Sequence, residues 1–348
     1  MGRVLVGWDI GGANIKAARL EYAGDGPGDV AGVTRPFEMW RAPEALPDIL
    51  RHVAGQLGPA EAAALTMTAE LCDCFPTKRV GVERILTACA DALPYPALWV
   101  LDVRGRWLAP TDAKRAPLLV ASANWMATAR LAASRHPDTI LVDVGSTTTD
   151  IVPIEAGRVR AAGRTDPGRL ARGELVYTGA VRTDVSAIVQ MVPLRGRWCR
   201  TAAEHFAAAA DVHLILGHLS EEQYTCLPPD GGDRTEAGAR RRLARIVCAD
   251  EEMLAAQEIE TLARYVHHRQ VAAITEGLLQ VLSAMDDCPS MVTVTGVGKF
   301  LAVEAARRVG MAMTDLDLEL RLPAEAAASA VALAWLLGRD LSGQARAG

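Results

Sequence analysis

The apolar positions of this chain come in short runs whose period changes along it. Arg3-Val4-Leu5-Val6-Gly7-Trp8-Asp9 is a nearly continuous apolar stretch of the length of a buried strand. Ile10-Gly11-Gly12-Ala13-Asn14 turns it, and Ile15 to Leu20 reads as a return strand. A third strand is expected around Val30 to Met39, then a helix from Glu44 to Gln56 and a strand at Ala63 to Thr68. Between Arg79 and Ala92 the period switches, with Val82, Ile85, Leu86 and Cys89 falling on one helical face. Leu98 to Val103 is strand-like again, and Pro117 to Ser134 is expected as one helix.

At this point the pattern restarts. Thr139 to Asp143 is a strand, Val144 to Thr147 a turn, and Thr149 to Ile154 a return strand. The two openings superpose: Asp9-x-Gly11 matches Asp143-x-Gly145, and each return strand runs to an acid and a glycine, Glu21…Gly24 and Glu155…Gly157. A repeat on this scale points to duplicated lobes rather than a solenoid. Beyond it come an Ala-rich helix near Thr201 to Ala210 and a loop from Leu227 to Thr235. A long helical stretch then runs from Glu236 to about Ala284, with a break near Ala249-Asp250. Met291 to Thr295 is a strand, Phe300 to Val309 a helix, Met311 to Leu316 a short strand, and a last helix starts behind Pro323 and ends near Gly338.

Composition narrows the class. The 348 residues are 50% hydrophobic and 23% charged, enough for two ordinary globular cores. A formal net charge of -5 provides no global positive field for nucleic acid or anionic lipid. Seven scattered cysteines suggest reduced thiols. No basic-then-apolar leader opens the sequence, and no apolar run reaches the ~20 residues of a membrane span. A cytoplasmic protein without nucleic-acid or membrane partners is expected.

The candidate chemistry lies in the turns. In Asp9-Ile10-Gly11-Gly12-Ala13-Asn14-Ile15-Lys16, glycines let backbone N–H groups approach an anion, Asp9 suits a hydrated Mg²⁺, and Lys16 adds positive charge. In Asp143-Val144-Gly145-Ser146-Thr147-Thr148-Thr149-Asp150, the hydroxyls of Ser146, Thr147 and Thr148 can donate to phosphate oxygens beside the acids Asp143 and Asp150. Either turn alone reads equally as a plain hairpin, but two in a duplicated framework favour phosphate. Asp9, Asp143 and Asp150 are the metal candidates, and Gly11, Gly12, Asn14, Lys16 and Gly145 join the phosphate set. Thr295-Gly296-Val297-Gly298-Lys299 is a third glycine turn, whose Gly296, Gly298 and Lys299, the last at a helix start, are further phosphate candidates; a structural strand–helix connection reads equally well.

Three further segments carry weaker signals. Glu70 and Asp73, in Thr66-Met67-Thr68-Ala69-Glu70-Leu71-Cys72-Asp73-Cys74, follow a predicted strand and suit catalysis, as does Asp143. Cys72-x-Cys74 has no second pair at zinc spacing. Arg242 and Arg245 share a helix face and could grip phosphate or carboxylate, or pair with Asp250, Glu251 and Glu252. His267-His268 is expected on an exposed helix surface.

Taken together, the Asp9 turn, the Glu70 segment, Val142-Asp143-Val144-Gly145-Ser146-Thr147-Thr148-Thr149-Asp150 and the Arg242 helix resemble hydantoinase A/oxoprolinase-like proteins over nearly the whole chain. They look most like the branch tied to tetrahydromethanopterin-linked one-carbon transfer and methylofuran synthesis. The resemblance implies an α/β, actin-like fold of the sugar kinase/actin superfamily, duplicated into two lobes with a cleft between them. The first lobe would span 1–116, completed by a C-terminal helix at 323–338. The second would span 117–322, with a helical insertion at about 200–285. The implied activity is transfer of a furanylmethyl group from its diphosphate to the phenol oxygen of (γ-glutamyl)tyramine, releasing diphosphate. Its partners would be these phosphorylated furan and phenolic amine substrates, with a homodimer left open. Mg²⁺ is the implied cofactor; ATP is not the favoured one, although an ATP-dependent kinase or hydantoinase-like hydrolase is the alternative.

Overall fold

The computed structural model describes residues 2–22 and 27–347, so Gly24 of the repeat lies outside the described residues. The opening run forms β1 (Arg3–Ile10), whose last six positions are buried. It is followed by β2 (Asn14–Tyr22), β3 (Pro27–Pro36), β4 (Ala62–Met67), β5 (Leu98–Leu101) and β6 (Trp107–Leu108). These make one sheet in the order β3-β2-β1-β4-β5-β6. β1, β2 and β3 are antiparallel neighbours, whereas β4 lies parallel to β1 and β5 parallel to β4. Parallel neighbours need crossovers, and the helices Leu46–Leu57 and Lys78–Ala92 supply them. All six residues of β4 are buried, which is why that strand reads as an apolar run interrupted only by Thr66.

The second sheet repeats the plan. Its strands are β7 (Thr139–Val144), β8 (Thr149–Glu155), β9 (Arg158–Val159) and β10 (Leu175–Val176). A separate hairpin, β11 (Met191–Leu194) and β12 (Arg197–Arg200), precedes β13 (Met291–Thr295) and β14 (Ala312–Asp315). The order is β10-β8-β7-β13-β14, with β9 beside β8 and β13 parallel to β7. In both sheets the Asp-Gly turn follows the central strand, and the next strand over is parallel. This repeated order is the actin-like α/β fold.

Two compact units result. One comprises 1–139, 154–169 and 315–348, and the other 140–153 and 170–314. Residues 117–139 therefore pack with the first unit, where the sequence reading had begun the second lobe. The helix Ala328–Ala347 lies on β1 of that unit, and only a glycine at position 7 permits it: a Cβ there would stand 1.9 Å from the Ala330 carbonyl oxygen.

Several expected elements differ in instructive ways. The helix expected over 117–134 is two helices, Pro117–Val120 and Asn124–Arg135, separated at Ser122, whose φ is 50°. The stretch 236–284 splits where the break near Ala249-Asp250 was expected, into Glu236–Arg245 and Ala256–Leu282, with Cys248 at φ 55° between them. The Ala-rich helix starts at Ala209 rather than Thr201, because the Asp211 carboxylate accepts the Ala208 N–H at 2.9 Å and fixes the first turn there. Pro323 opens a turn closed by the Ala326 N–H, and the final helix runs on through Gly338, which is needed where the chain meets the Tyr22 ring. His267 is buried, its Nε2 2.8 Å from Glu304 Oε2. No helix among the described residues is long and apolar enough to cross a membrane.

Candidate functional site

In the first unit, β1 delivers Asp9 to the turn, where it pairs in register with Lys16 of β2 and Thr66 of β4. Asp9 is buried; its Oδ2 accepts the Ser329 hydroxyl at 2.8 Å and lies 3.7 Å from Lys16 Nζ. Asp9 Oδ1, Asn14 Oδ1 and Thr66 Oγ1 are also buried, and they have no partner among the described residues. Native interiors rarely leave such atoms unmet. A carboxylate oxygen so placed fits a hydrated Mg²⁺, which takes one or two carboxylates and keeps its waters. The Gly11 N–H is not available to an anion, because it donates to the Asn14 carbonyl at 3.0 Å and closes the turn. Gly12 is where the Glu70 loop approaches: a Cβ there would lie 2.8 Å from Cys72 Sγ. The sequence-predicted Asp9 and Glu70 segments are thus neighbours.

The chemistry around Glu70 is denser than the sequence suggested. Glu70 is fully buried, beyond the end of β4. Its Oε1 accepts the Ser122 hydroxyl at 2.8 Å and stands 3.4 Å from Lys78 Nζ. Ser122 Oγ is also 3.0 Å from Asp166 Oδ2, the oxygen that Lys78 binds directly. Glu70 Oε2 is buried without a partner among the described residues. Burial raises the Glu70 carboxyl above its ordinary 4.5, outweighing the Lys78 charge and the Ser122 hydrogen bond that pull it down. Burial also works against the Lys78 ammonium, but the Asp166 hydrogen bond and the two carboxylate charges prevail and raise it. Asp73, the other acid of this segment, is exposed.

Local sequence explains how these groups meet. Thr77 caps the helix Lys78–Ala92 by accepting the Val80 N–H, which places Lys78 on its first turn. Gly81 lets that helix press onto the Glu70 backbone, since a Cβ would stand 2.3 Å from the Glu70 carbonyl oxygen. Ala121 bridges in parallel to Met67, carrying Ser122 alongside the end of β4. Lys78, Ser122 and Asp166 were not singled out from sequence. The one legible hint was Lys78 behind a capping threonine; nothing local marks Ser122 or Asp166.

In the second unit, the Gly145 N–H donates to the Thr148 carbonyl at 2.9 Å. The carbonyls of Gly145 and Ser146 are taken by the N–H groups of Ala180, Val181 and Arg182. What the turn presents is therefore the half-buried side chains of Ser146, Thr147 and Thr148, with Arg182 Nη1 3.5 Å from Thr147 Oγ1. Arg182 is a cation the sequence reading missed. The third glycine turn lies against the second: Thr295 pairs with Asp143, and the Gly298 N–H donates to the Val144 carbonyl at 2.9 Å. Gly296 has φ 92°, and a Cβ there would come 2.6 Å from Asp143 Oδ1. Lys299 is the first residue of the following helix, and Asp150 is a buried position of β8 paired with Leu175.

Arg242 serves a different end from the expected anion grip. It is buried, with Nε donating to Asp211 Oδ1 at 2.8 Å and Nη1 to Asp230 Oδ1 at 3.1 Å and to the Asp233 carbonyl at 3.0 Å. Arg245 pairs with the other oxygen of Asp230 at 3.1 Å. The loop acids, rather than Asp250, Glu251 and Glu252, are their partners. Arg242 is a structural cation.

Residues 61–337 match the family model described as hydantoinase/oxoprolinase. A protein of Methanocaldococcus jannaschii, named (4-{4-[2-(gamma-L-glutamylamino)ethyl]phenoxymethyl}furan-2-yl)methanamine synthase, is 37% identical over 304 residues, covering 87% of this chain and 88% of its own. A protein of the same name from Methanococcus vannielii is 31% identical over 166 residues, 48% of this chain and 73% of its own. Among solved structures, the nucleotide-free acetone carboxylase aligns with a TM-score of 0.56 at 10% identity, over 95% of this chain and 70% of that one, a likeness of fold alone. Motifs, duplicated sheets and sequence relatives agree: the chain belongs to the hydantoinase/oxoprolinase family.

Proposed function

We propose that this protein is a transferase of methylofuran biosynthesis that joins a furanylmethyl diphosphate to the phenol oxygen of a (γ-glutamyl)tyramine and releases diphosphate. The observation that carries the reading is the 37% identity, over 87% of the chain, with a synthase whose name describes that aryl ether. The chemistry of the first unit supports it. Bond formation requires the phenol to lose its proton as the carbon–oxygen bond to diphosphate breaks. An ordinary carboxylate is a weak base for a phenol of pKa ~10. Burial raises the Glu70 carboxyl and so narrows that mismatch, and its Oε2 has no other partner among the described residues. Asp73 is exposed, so Glu70 is the base in this reading.

Asp9 is the residue of the first unit that would hold Mg²⁺, whose part is to take up charge on a departing diphosphate. In the second unit, Ser146, Thr147 and Thr148, with Arg182 beside them, form a donor set suited to phosphate oxygens. The soluble, cytoplasmic setting read from the sequence belongs to the same proposal.

The test combines purified protein, Mg²⁺, γ-glutamyltyramine and the furanylmethyl diphosphate, with and without ATP, and follows product by mass. Ether and diphosphate formed without ATP are expected; product formed only with stoichiometric ADP overturns the reading. The second reading, an ATP-dependent kinase or hydantoinase-like hydrolase, draws on the Gly296–Lys299 turn packed against Asp143. Calorimetric titration with Mg-ATP decides it, since absence of binding removes its basis.

A further inference from the structure

Three oxygens stand in a row in the first unit: Glu70 Oε1, Ser122 Oγ and Asp166 Oδ2, separated by 2.8 Å and 3.0 Å. A serine hydroxyl has one hydrogen to give. If both acids were ionised, Ser122 could donate to only one of them, and the Lys78 ammonium, which also donates to Ser122 Oγ at 3.4 Å, would alone have to separate the other from the serine lone pairs. The charge count agrees: two carboxylates would share the single ammonium of Lys78. One added proton removes both conflicts, with one carboxyl donating to Ser122 and Ser122 donating to the other. Glu70 is fully buried, whereas Asp166 retains 18% side-chain exposure and takes the direct Lys78 contact. The proton therefore belongs on Glu70, where ionisation is costlier.

We propose that Glu70 rests protonated, and that Ser122 is a proton relay linking this buried acid to the more exposed Asp166. In the transfer, Ser122 gives its own hydroxyl proton to Asp166 Oδ2 and takes the proton from Glu70 Oε1, so the serine ends unchanged. Glu70 is then ionised and Asp166 neutral, with Lys78 still balancing one negative charge. The vacated Glu70 carboxylate is what can accept a substrate proton, and Asp166 passes the first proton to solvent. The use of that proton on a phenol rests on the reading of Glu70 as the base; the relay itself does not.

Two features support the assignment. Ser122 holds φ 50°, a conformation uncommon outside glycine, and so keeps its hydroxyl between the two acids at a cost in backbone strain. Glu70 also retains one buried carboxylate oxygen with no partner among the described residues, whereas both oxygens of Asp211 are bound. The charged groups facing Glu70 are Lys78, from the helix Lys78–Ala92, and Asp166, from the helix Asp166–Leu170.

Infrared difference spectroscopy of the intact protein tests the resting state without any substrate. The carbonyl stretch of a neutral carboxylic acid at neutral pH is expected in the wild type and absent from Glu70→Gln; its absence from the wild type overturns the proposal. Ser122→Gly removes the hydroxyl while accommodating the positive φ. In that variant kcat should fall by about 10²-fold, the low end for a positioned proton-transfer group, with KM little changed and a displaced acid limb of the pH–rate profile. An unchanged kcat and pH profile would reject the relay. Should the protein lack synthase activity altogether, the infrared result still stands, so failure of the proposed function and failure of the proton assignment are distinguishable.

Discussion

Each unit of this protein buries a carboxylate beside a cation, and the two clusters are finished differently. Around Asp211, Oδ1 accepts the Tyr224 hydroxyl at 3.0 Å and Arg242 Nε at 2.8 Å, while Oδ2 accepts the Ala208 N–H at 2.9 Å. Every oxygen is used, and the result pins the helices Ala209–Ile215 and Glu236–Arg245 to one another. Around Glu70, one oxygen is bound by Ser122 and the other is left unmet among the described residues. A closed network contributes architecture, whereas an open one holds capacity for a proton or a ligand. Burial and charge pairing alone do not separate the two cases, and Arg242 Nη2 itself has no hydrogen-bond partner among the described residues; completion of the carboxylate's own hydrogen bonds is what differs.

The comparison can be broken most severely at Glu70. Glu70→Gln keeps the shape of the protonated acid and is expected to fold with unchanged stability, yet to lose about 10²- to 10⁴-fold in the kcat of ether formation. Paired measurement of turnover and denaturant midpoint checks both halves. Arg242→Met should show the reverse behaviour. It strands Asp211 in the interior and is expected to cost about 3–5 kcal/mol in urea unfolding, with the activity of the remaining folded protein preserved. Loss of activity without loss of stability would return Arg242 to an anion-binding role.

Gly81→Ala tests how the open cluster is positioned. In an ordinary helix this change favours folding, but here the new Cβ would stand 2.3 Å from the Glu70 carbonyl oxygen. Overpacking of about 1–3 kcal/mol is expected, together with reduced kcat as Glu70 moves from Ser122. Calorimetric unfolding alongside rate measurement reads both effects.

His213 is an intermediate case, with Nε2 2.9 Å from Gln270 Oε1 and Nδ1 buried without a partner among the described residues. Burial, with the neighbouring His267 and His218 charges, pulls it from 6.5 down to about 3. Its unfolded form therefore binds a proton that the folded form refuses throughout that window. Stability is unaffected above pH 6.5 and falls as pH drops toward 3, by up to about 1.4 kcal/mol per unit. Unfolding midpoints across this range, compared with those of His213→Gln, should show a shallower acid dependence in the variant.

How much of this was legible varies with the range of the interaction. The two Asp-Gly turns, the strands around them and the helix Lys78–Ala92 follow from periodicity and glycine placement, which act over a few residues. The break near Ala249-Asp250 was legible and falls at Cys248, whereas the break at Ser122 was not, because residues around it favour helix and the positive φ is imposed from outside. Arg242 looked like an anion grip because its Asp211 partner is remote in sequence and its Asp230 partner lies in a loop with no fixed direction of its own.

By itself the sequence determined the duplicated framework, the family and the candidacy of Asp9, Glu70 and Asp143, because each is written in contiguous motifs. Only the tertiary structure decided which acids remain chemically open. It set Ser122, Lys78 and Asp166 around Glu70 from three separate segments, and closed Asp211 with Tyr224 and Arg242 from two others. The reason is physical: whether a buried group is satisfied depends on partners that meet only when the core packs, and local spacing along the chain does not encode them.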